Sequence, residues 1–363
     1  MTWQGIQGHD RVVEQFRRSL GRGRLASTYL FVGRKGIGKH LFARKLAQSL
    51  LCQTNPPEEL DPCGHCAGCV QVVAGTHPDL IEIGKPPDKS EIPVQLLIGS
   101  GERRMHEGLC HDISLKPFMG GRRVAIIDDA DHLNEEGANC LLKTLEEPPP
   151  RSVIILVGTS ADRQLPTIRS RSQIIRFSPL PDEVVASLLV AEGSASNEEE
   201  ARRLAAYSEG SIDRARELTD PDLWKFRREL LARLSEPRFD AVRVAKGVLS
   251  IVDEAGKEAP LRRARARQIV NFAADFYRQL MLRLAGGTQT ADQELTTLVE
   301  SAAQLWDAET GPAGDEVAAA CVERCLDALA HIDRNANQSI WIECWLDDLA
   351  RLTAPQGASK ATG

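Results

Sequence analysis

No excess of positive charge runs through this sequence. Lys and Arg total 45 against 51 Asp and Glu, a formal net charge of −6. Any contact with nucleic acid is therefore local or made through partners. No stripe of interleaved aromatic and basic side chains is present either, which disfavours a surface for single-stranded nucleic acid. No apolar run approaches the length of a bilayer span. The opening residues, MTWQGIQGHDRVVEQF, lack the charged-then-apolar order of a secretory signal. The expectation is a cytoplasmic protein with no membrane partner. The remaining composition is ordinary for a globular chain, 42% hydrophobic and 26% charged over 363 residues, with room for two or three domains.

The stretch Leu30-Phe-Val-Gly-Arg-Lys-Gly-Ile-Gly-Lys39-His40 organises the chain. Leu30 to Val32 reads as the end of a buried strand. Gly33, Gly36 and Gly38 punctuate a tight loop, and the residues from Leu41 are apolar at helical spacing. Strand, glycine loop and helix together are the context of a phosphate-binding loop. Glycines let backbone N–H groups approach phosphate oxygens, Lys39 reaches the β- and γ-phosphates, and the helix N-terminus adds partial positive charge. The spacing Gly33-x4-Gly38-Lys39 fits. The next position should carry a hydroxyl for Mg²⁺, and it is His40.

Gly8 to Leu20 reads as a helix, His77 to Ile83 as a second strand and Arg122 to Asp128 as a third. Residues 84–93, with Pro86, Pro87 and Pro93, read as loop, and Val94 to His106 as a helix. Asn134 to Glu147 is helical and stops at Pro148. Ser152 to Thr159 and Ser172 to Phe177 complete five strands. Apolar strands alternating with helices indicate a parallel α/β sheet covered on both faces. Beyond Pro179 the pattern is helical throughout.

Asp128 and Asp129 lie just past the third strand, at the sheet edge where α/β proteins bind ligands. Asp128 is placed to hold Mg²⁺ and Asp129 to orient a water. Nine cysteines are present. Cys52, Cys63, Cys66 and Cys69 offer four thiolates at a spacing that suits a closed, structural tetrahedral zinc site, with an iron–sulfur cluster or a redox dithiol as competing readings. The other five are expected to be small buried apolar residues. Arg171, in Ser170-Arg171-Ser172, either pairs with a carboxylate or stabilises phosphoryl-transfer charge on a neighbouring subunit's nucleotide.

Together these motifs resemble the clamp-loader branch of the AAA+ ATPases. Gly33 to Lys39 is similar to the family's Walker A loop and Ile126-Ile-Asp-Asp-Ala-Asp131 to its Walker B. The four-cysteine insert directly after the Walker A helix is more specific than either. Asn139-Cys-Leu-Leu-Lys-Thr-Leu-Glu-Glu-Pro148-Pro resembles a block typical of the branch, and Ser170-Arg171-Ser172 its arginine-finger motif. Thr159 falls at sensor 1. Asp213 stands where active members carry the sensor 2 Arg, with Arg214 adjacent.

The resemblance implies an AAA+ core over 1–178 with a zinc insert at about 52–76. It also implies a helical lid over 179–237 and an all-helical collar for oligomerisation over 238–353; the small, polar residues 354–363 read as a disordered tail from composition alone. It implies ATP and Mg²⁺ at the loop and a five-subunit machine that places a sliding clamp on primed DNA, with Arg171 acting in trans. His40, Asp129 and Asp213 are departures that argue against hydrolysis in this chain and favour a non-hydrolysing stator over an ATPase motor.

Overall fold

The computed structural model describes residues 3–287, 292–310, 313–334 and 336–354. The chain divides into two compact units, residues 1–219 and 220–363.

In chain order the first unit runs α1 (Asp10–Gly21), β1 (Thr28–Val32), α2 (Lys39–Leu50), α3 (Ala67–Ala74), β2 (Leu80–Ile83), α4 (Val94–Ile98), α5 (Leu109–Asp112), β3 (Arg123–Ile127), α6 (Glu135–Glu146), β4 (Ser152–Gly158), α7 (Pro166–Ser170), β5 (Gln173–Arg176), α8 (Asp182–Ala191), α9 (Glu198–Ser208) and α10 (Ile212–Glu217). The strands form one sheet in the order β2-β3-β4-β1-β5, and every neighbouring pair is parallel. β1, β3 and β4 are buried along their whole length, as a parallel sheet covered on both faces requires.

Alternation along β1 assigns its side chains to two cores. Leu30 and Val32 join Ala125, Ile127, Ile154 and Leu156 against Leu97, Leu109, Leu141 and Ile168 from the helices on that face. Tyr29 and Phe31 point the other way, into an aromatic cluster with Phe16 of α1, Phe42 of α2 and Phe177. Phe42 has no exposed surface and its ring centroid lies 5.1 Å from that of Phe177. These contacts fix α2, and so the loop before it, to the sheet.

The expected helix over Val94–His106 is cut short: α4 ends at Ile98. Gly99 and Gly101 take φ of 73° and 55°, a left-handed backbone that breaks a right-handed helix. Asn134 caps α6, its side chain accepting from the Gly137 N–H, as the sequence suggests for a helix start there.

The second unit consists of α11 (Pro221–Leu234), α12 (Ala241–Glu254), α13 (Ala259–Leu284), α14 (Gln293–Thr310), α15 (Gly314–Asp333) and α16 (Gln338–Thr353). Its core holds Phe276, Tyr277, Trp306 and Trp345. α11 joins this unit through Arg227, which is buried beneath Trp224 and Phe272 and ion-paired with Asp292 at 2.8 Å. Arg265, in the basic run of α13, pairs with Asp220. Among the described residues no helix is long and apolar enough to cross a membrane. Residues 355–363 of the expected tail lie outside the described residues.

Candidate nucleotide site and cysteine centre

The loop between β1 and α2 turns on three glycines of positive φ: Gly33 at 153°, Gly36 at 74° and Gly38 at 94°. Their left-handed geometry excludes side chains at little cost only because no Cβ is present. A Cβ on Gly36 would strike Ser211 and Asp213, because the Gly36 carbonyl accepts the Ile212 N–H at 2.9 Å. The loop is therefore pinned from the sheet side and from the start of α10. On the sheet side, the Gly33 N–H donates to the Thr159 carbonyl at 3.1 Å.

Lys39 opens α2 and is buried. Its Nζ donates to the carbonyls of Gly33 at 2.7 Å and Arg34 at 2.5 Å. Burial lowers its pKa, while Asp128, Asp131 and Asp129 work in the opposite sense. His40 Nδ1 lies 2.7 Å from Asp128 Oδ2, and its Nε2 lies 3.6 Å from Glu82 Oε1. The hydrogen bonds to Asp128 and Glu82 raise the imidazole from 6.5 to about 9. At Asp128 burial pushes the pKa up, but the His40 hydrogen bond and charge outweigh it and the carboxyl stays below its usual value.

Asp129 sits in the left-handed region at φ 51°, turning the chain away from β3. Thr159 donates from its hydroxyl (2.5 Å) and its N–H (2.7 Å) to Asp131, which also accepts from Gln164 at 2.9 Å.

A cavity of about 410 Å³ opens over this loop, within the usual range of ligand pockets. It is lined by Gly36, Gly38, Lys39, His40, Asp128, Asp129, Asp131 and Thr159, with Gln7 and His9 from before α1 and Asp213 and Arg216 from α10. The fold thus brings together most of the residues singled out in sequence. Arg214 is not among the lining residues: it bonds Glu209 at 2.6 Å, and Arg216 lines the cavity instead, forked onto Glu192 at 2.7 and 3.1 Å.

Glu82, His9, Gln164 and Arg216 are the residues that sequence reading missed. Glu82 had a visible signal, a lone acid in the apolar strand LIEI. His9 had none: its Nε2 meets the Ile37 carbonyl at 2.6 Å, with the ring edge-on to Phe177.

The loop fits a polyphosphate, with a helix N-terminus, a lysine and inward-turned backbone. The residues do not fit Mg²⁺. Position 40 supplies no oxygen, and the carboxylate that would hold the ion is already engaged by His40.

Arg171 caps α7 outside the cavity. Its Nη2 pairs with Glu146 at 2.6 Å and its Nη1 donates to the Thr167 carbonyl at 2.9 Å. Arg169 pairs with Asp162 at 3.1 Å.

The four cysteines of the insert converge, with all sulfurs within 4.8 Å of one another. Cys52 and Cys66 are 4.0 Å apart, and Cys63 and Cys69 3.9 Å. A tetrahedral ion with thiolates at about 2.3 Å would space them about 3.8 Å apart. Backbone N–H groups of Asn55, Cys66 and Cys69 point at the sulfurs of Cys52, Cys63 and Cys66. Gly68 packs so closely on the Leu51 carbonyl that a Cβ would collide with it. His65 turns to the Cys63 carbonyl and stays outside the cluster. The arrangement can hold a metal.

Sheet order, glycine loop and acidic strand end define the first unit as a P-loop α/β domain of the AAA+ type. The family described as DNA polymerase III, delta subunit, matches residues 8–181. The matched segment, just under half of the chain, is similar to this family. It is 34% identical to the DNA polymerase III subunit delta' of Pseudomonas aeruginosa over 53% of this chain and 55% of that protein. It is 33% identical to the subunit delta' of Escherichia coli over 61% and 63%. Similarity to the DNA polymerase III subunit tau of E. coli is 32% over 60% of this chain and 32% of that one. The chain thus spans just over half to somewhat under two thirds of the delta' relatives it matches.

Proposed function

We propose that this protein is a delta-prime-like subunit of a DNA polymerase III clamp loader. It would assemble with tau/gamma and delta subunits into a hetero-pentamer that loads a sliding clamp onto primed DNA. Its part there is that of a stator without ATP hydrolysis of its own. The observation that carries the stator reading is His40 on Asp128. The position of the metal-binding hydroxyl holds an imidazole that occupies the acid meant for the metal.

Arg171 is the donated group. It lies outside its own chain's cavity, on a helix end, held by Glu146 in a pair that a stronger anion on a neighbour can displace. Residues 179–219 serve as lid and the helical unit from 220 as collar, suited to subunit packing; the boundary expected at 237 moves back because α11 packs with the second unit through Arg227. The four cysteines hold structural zinc, because a complete thiolate set leaves no open position for chemistry.

The similar identity to tau supports one other reading, an ATPase motor subunit. Mass spectrometry under conditions that preserve complexes, on the chain mixed with tau/gamma and delta, tests the assembly. One copy of this chain per pentamer is the expected result. Failure to enter any complex, or replacement of tau/gamma at several positions, overturns it.

A further inference from the structure

His40 stands between two carboxylates, Asp128 at 2.7 Å and Glu82 at 3.6 Å, and Glu82 also takes the Arg44 guanidinium at 3.1 Å. Both ring nitrogens are thereby committed, and neither is left to coordinate a cation. Lys39, His40 and Arg44 set three fixed positive charges against Glu82 and Asp128, while Asp129 and Asp131 also line the cavity. At a phosphate-binding loop a divalent cation cancels the strand-end acid that would otherwise repel the phosphates. Here that acid is cancelled by a side chain fixed to α2. The neighbouring Asp131 is filled by Thr159 and Gln164.

We propose that this loop binds a nucleoside polyphosphate without a divalent cation, His40 standing in for the metal. The proposal rests on the reading of the cavity as a nucleotide site, but not on any partner subunit. Lys39 exchanges its bonds to the Gly33 and Arg34 carbonyls for phosphate oxygens, and the glycine-loop N–H groups and the start of α2 supply the rest. With no metal to align an attacking water, the nucleotide is held as a structural ligand.

Calorimetric titration of ATP, and separately ADP, into the full chain tests this, once in EDTA and once in excess Mg²⁺. The wild-type dissociation constant should change by less than about twofold between the two. His40→Thr removes the fixed cation and restores an oxygen ligand, so it should bind at least about tenfold tighter with Mg²⁺ than in EDTA. Asp128→Asn, which removes the acid to be cancelled, should leave binding metal-independent and so guards against misfolding of the first variant. Wild-type binding that needs Mg²⁺ overturns the proposal, as does the absence of binding in both conditions. Neither outcome touches assembly with clamp-loader subunits, which the mass measurement reads independently.

Discussion

Removing one thiolate from the insert should unfold it locally and leave the sheet standing. Between α2 and β2 the chain buries little apolar surface of its own: Leu51, Leu60, Cys69 and Val72 are its buried hydrophobic side chains. Four such residues supply roughly 6–12 kcal/mol, too little to order some 25 residues against a backbone cost of about 1 kcal/mol or more for each. The proposed structural zinc would supply the missing term, on the order of 10 kcal/mol for such a site. Cys66 is central, since its sulfur lies 4.0 Å from Cys52 and accepts the Cys69 N–H. Cys66→Ser should lower zinc from one per chain to near zero by metal analysis. Amide exchange should then become fast over 52–76 while β1 and β4 keep their protection, because their core does not include the insert. Full zinc content in Cys66→Ser, an iron absorbance in the wild type, or loss of protection in β4 as well would refute this reasoning.

Two further outcomes follow from the packing and the charges. Phe42→Ala empties the middle of the aromatic cluster and should cost about 3–5 kcal/mol in denaturant unfolding of the first unit; a loss under 1 kcal/mol would mean the cluster does not hold α2. His40 should titrate by NMR near 9 rather than near 6.5, and fall back in Asp128→Asn. Its folded pKa is raised, so the imidazole's contribution to stability is full below about 6.5 and fades as pH climbs through about 9, while Asp128, held below its usual value, gives up its side of the pair only in acid; a midpoint near 6.5 in the folded chain would contradict the pairing.

The five strands, the loop and the cysteine cluster were legible because each rests on local chemistry. Apolar runs mark β1, β3 and β4, the glycine spacing marks the loop, and thiol spacing marks the insert. Val94–His106 misled because its apolar residues are helically spaced, while Gly99 and Gly101 decide the backbone. Glu82 and His9 were hidden for another reason. Their roles arise only when β2 and the residues before α1 fold against α2, more than 25 positions away in the chain, and no local pattern encodes such a meeting. Arg216 and Arg214 differ by two positions on α10. Which one faces the cavity depends on the helix's rotation against the loop, set by Gly36 and Ile212.

The central claim is that this chain contributes a guanidinium rather than a hydrolytic site. The most direct test is DNA-stimulated ATP turnover by the isolated chain and by the reconstituted pentamer, with Arg171→Ala, Arg171→Lys and Arg169→Ala in parallel. The account predicts negligible turnover by the isolated chain. It predicts normal assembly of Arg171→Ala but loss of hydrolysis at one interface, where a finger is worth roughly 10³–10⁵ in rate. Lys should give no rescue, since it lacks the planar fork, and Arg169→Ala should have little effect. Robust turnover by the isolated chain that Lys39→Ala abolishes, or a pentamer indifferent to Arg171→Ala, would contradict it.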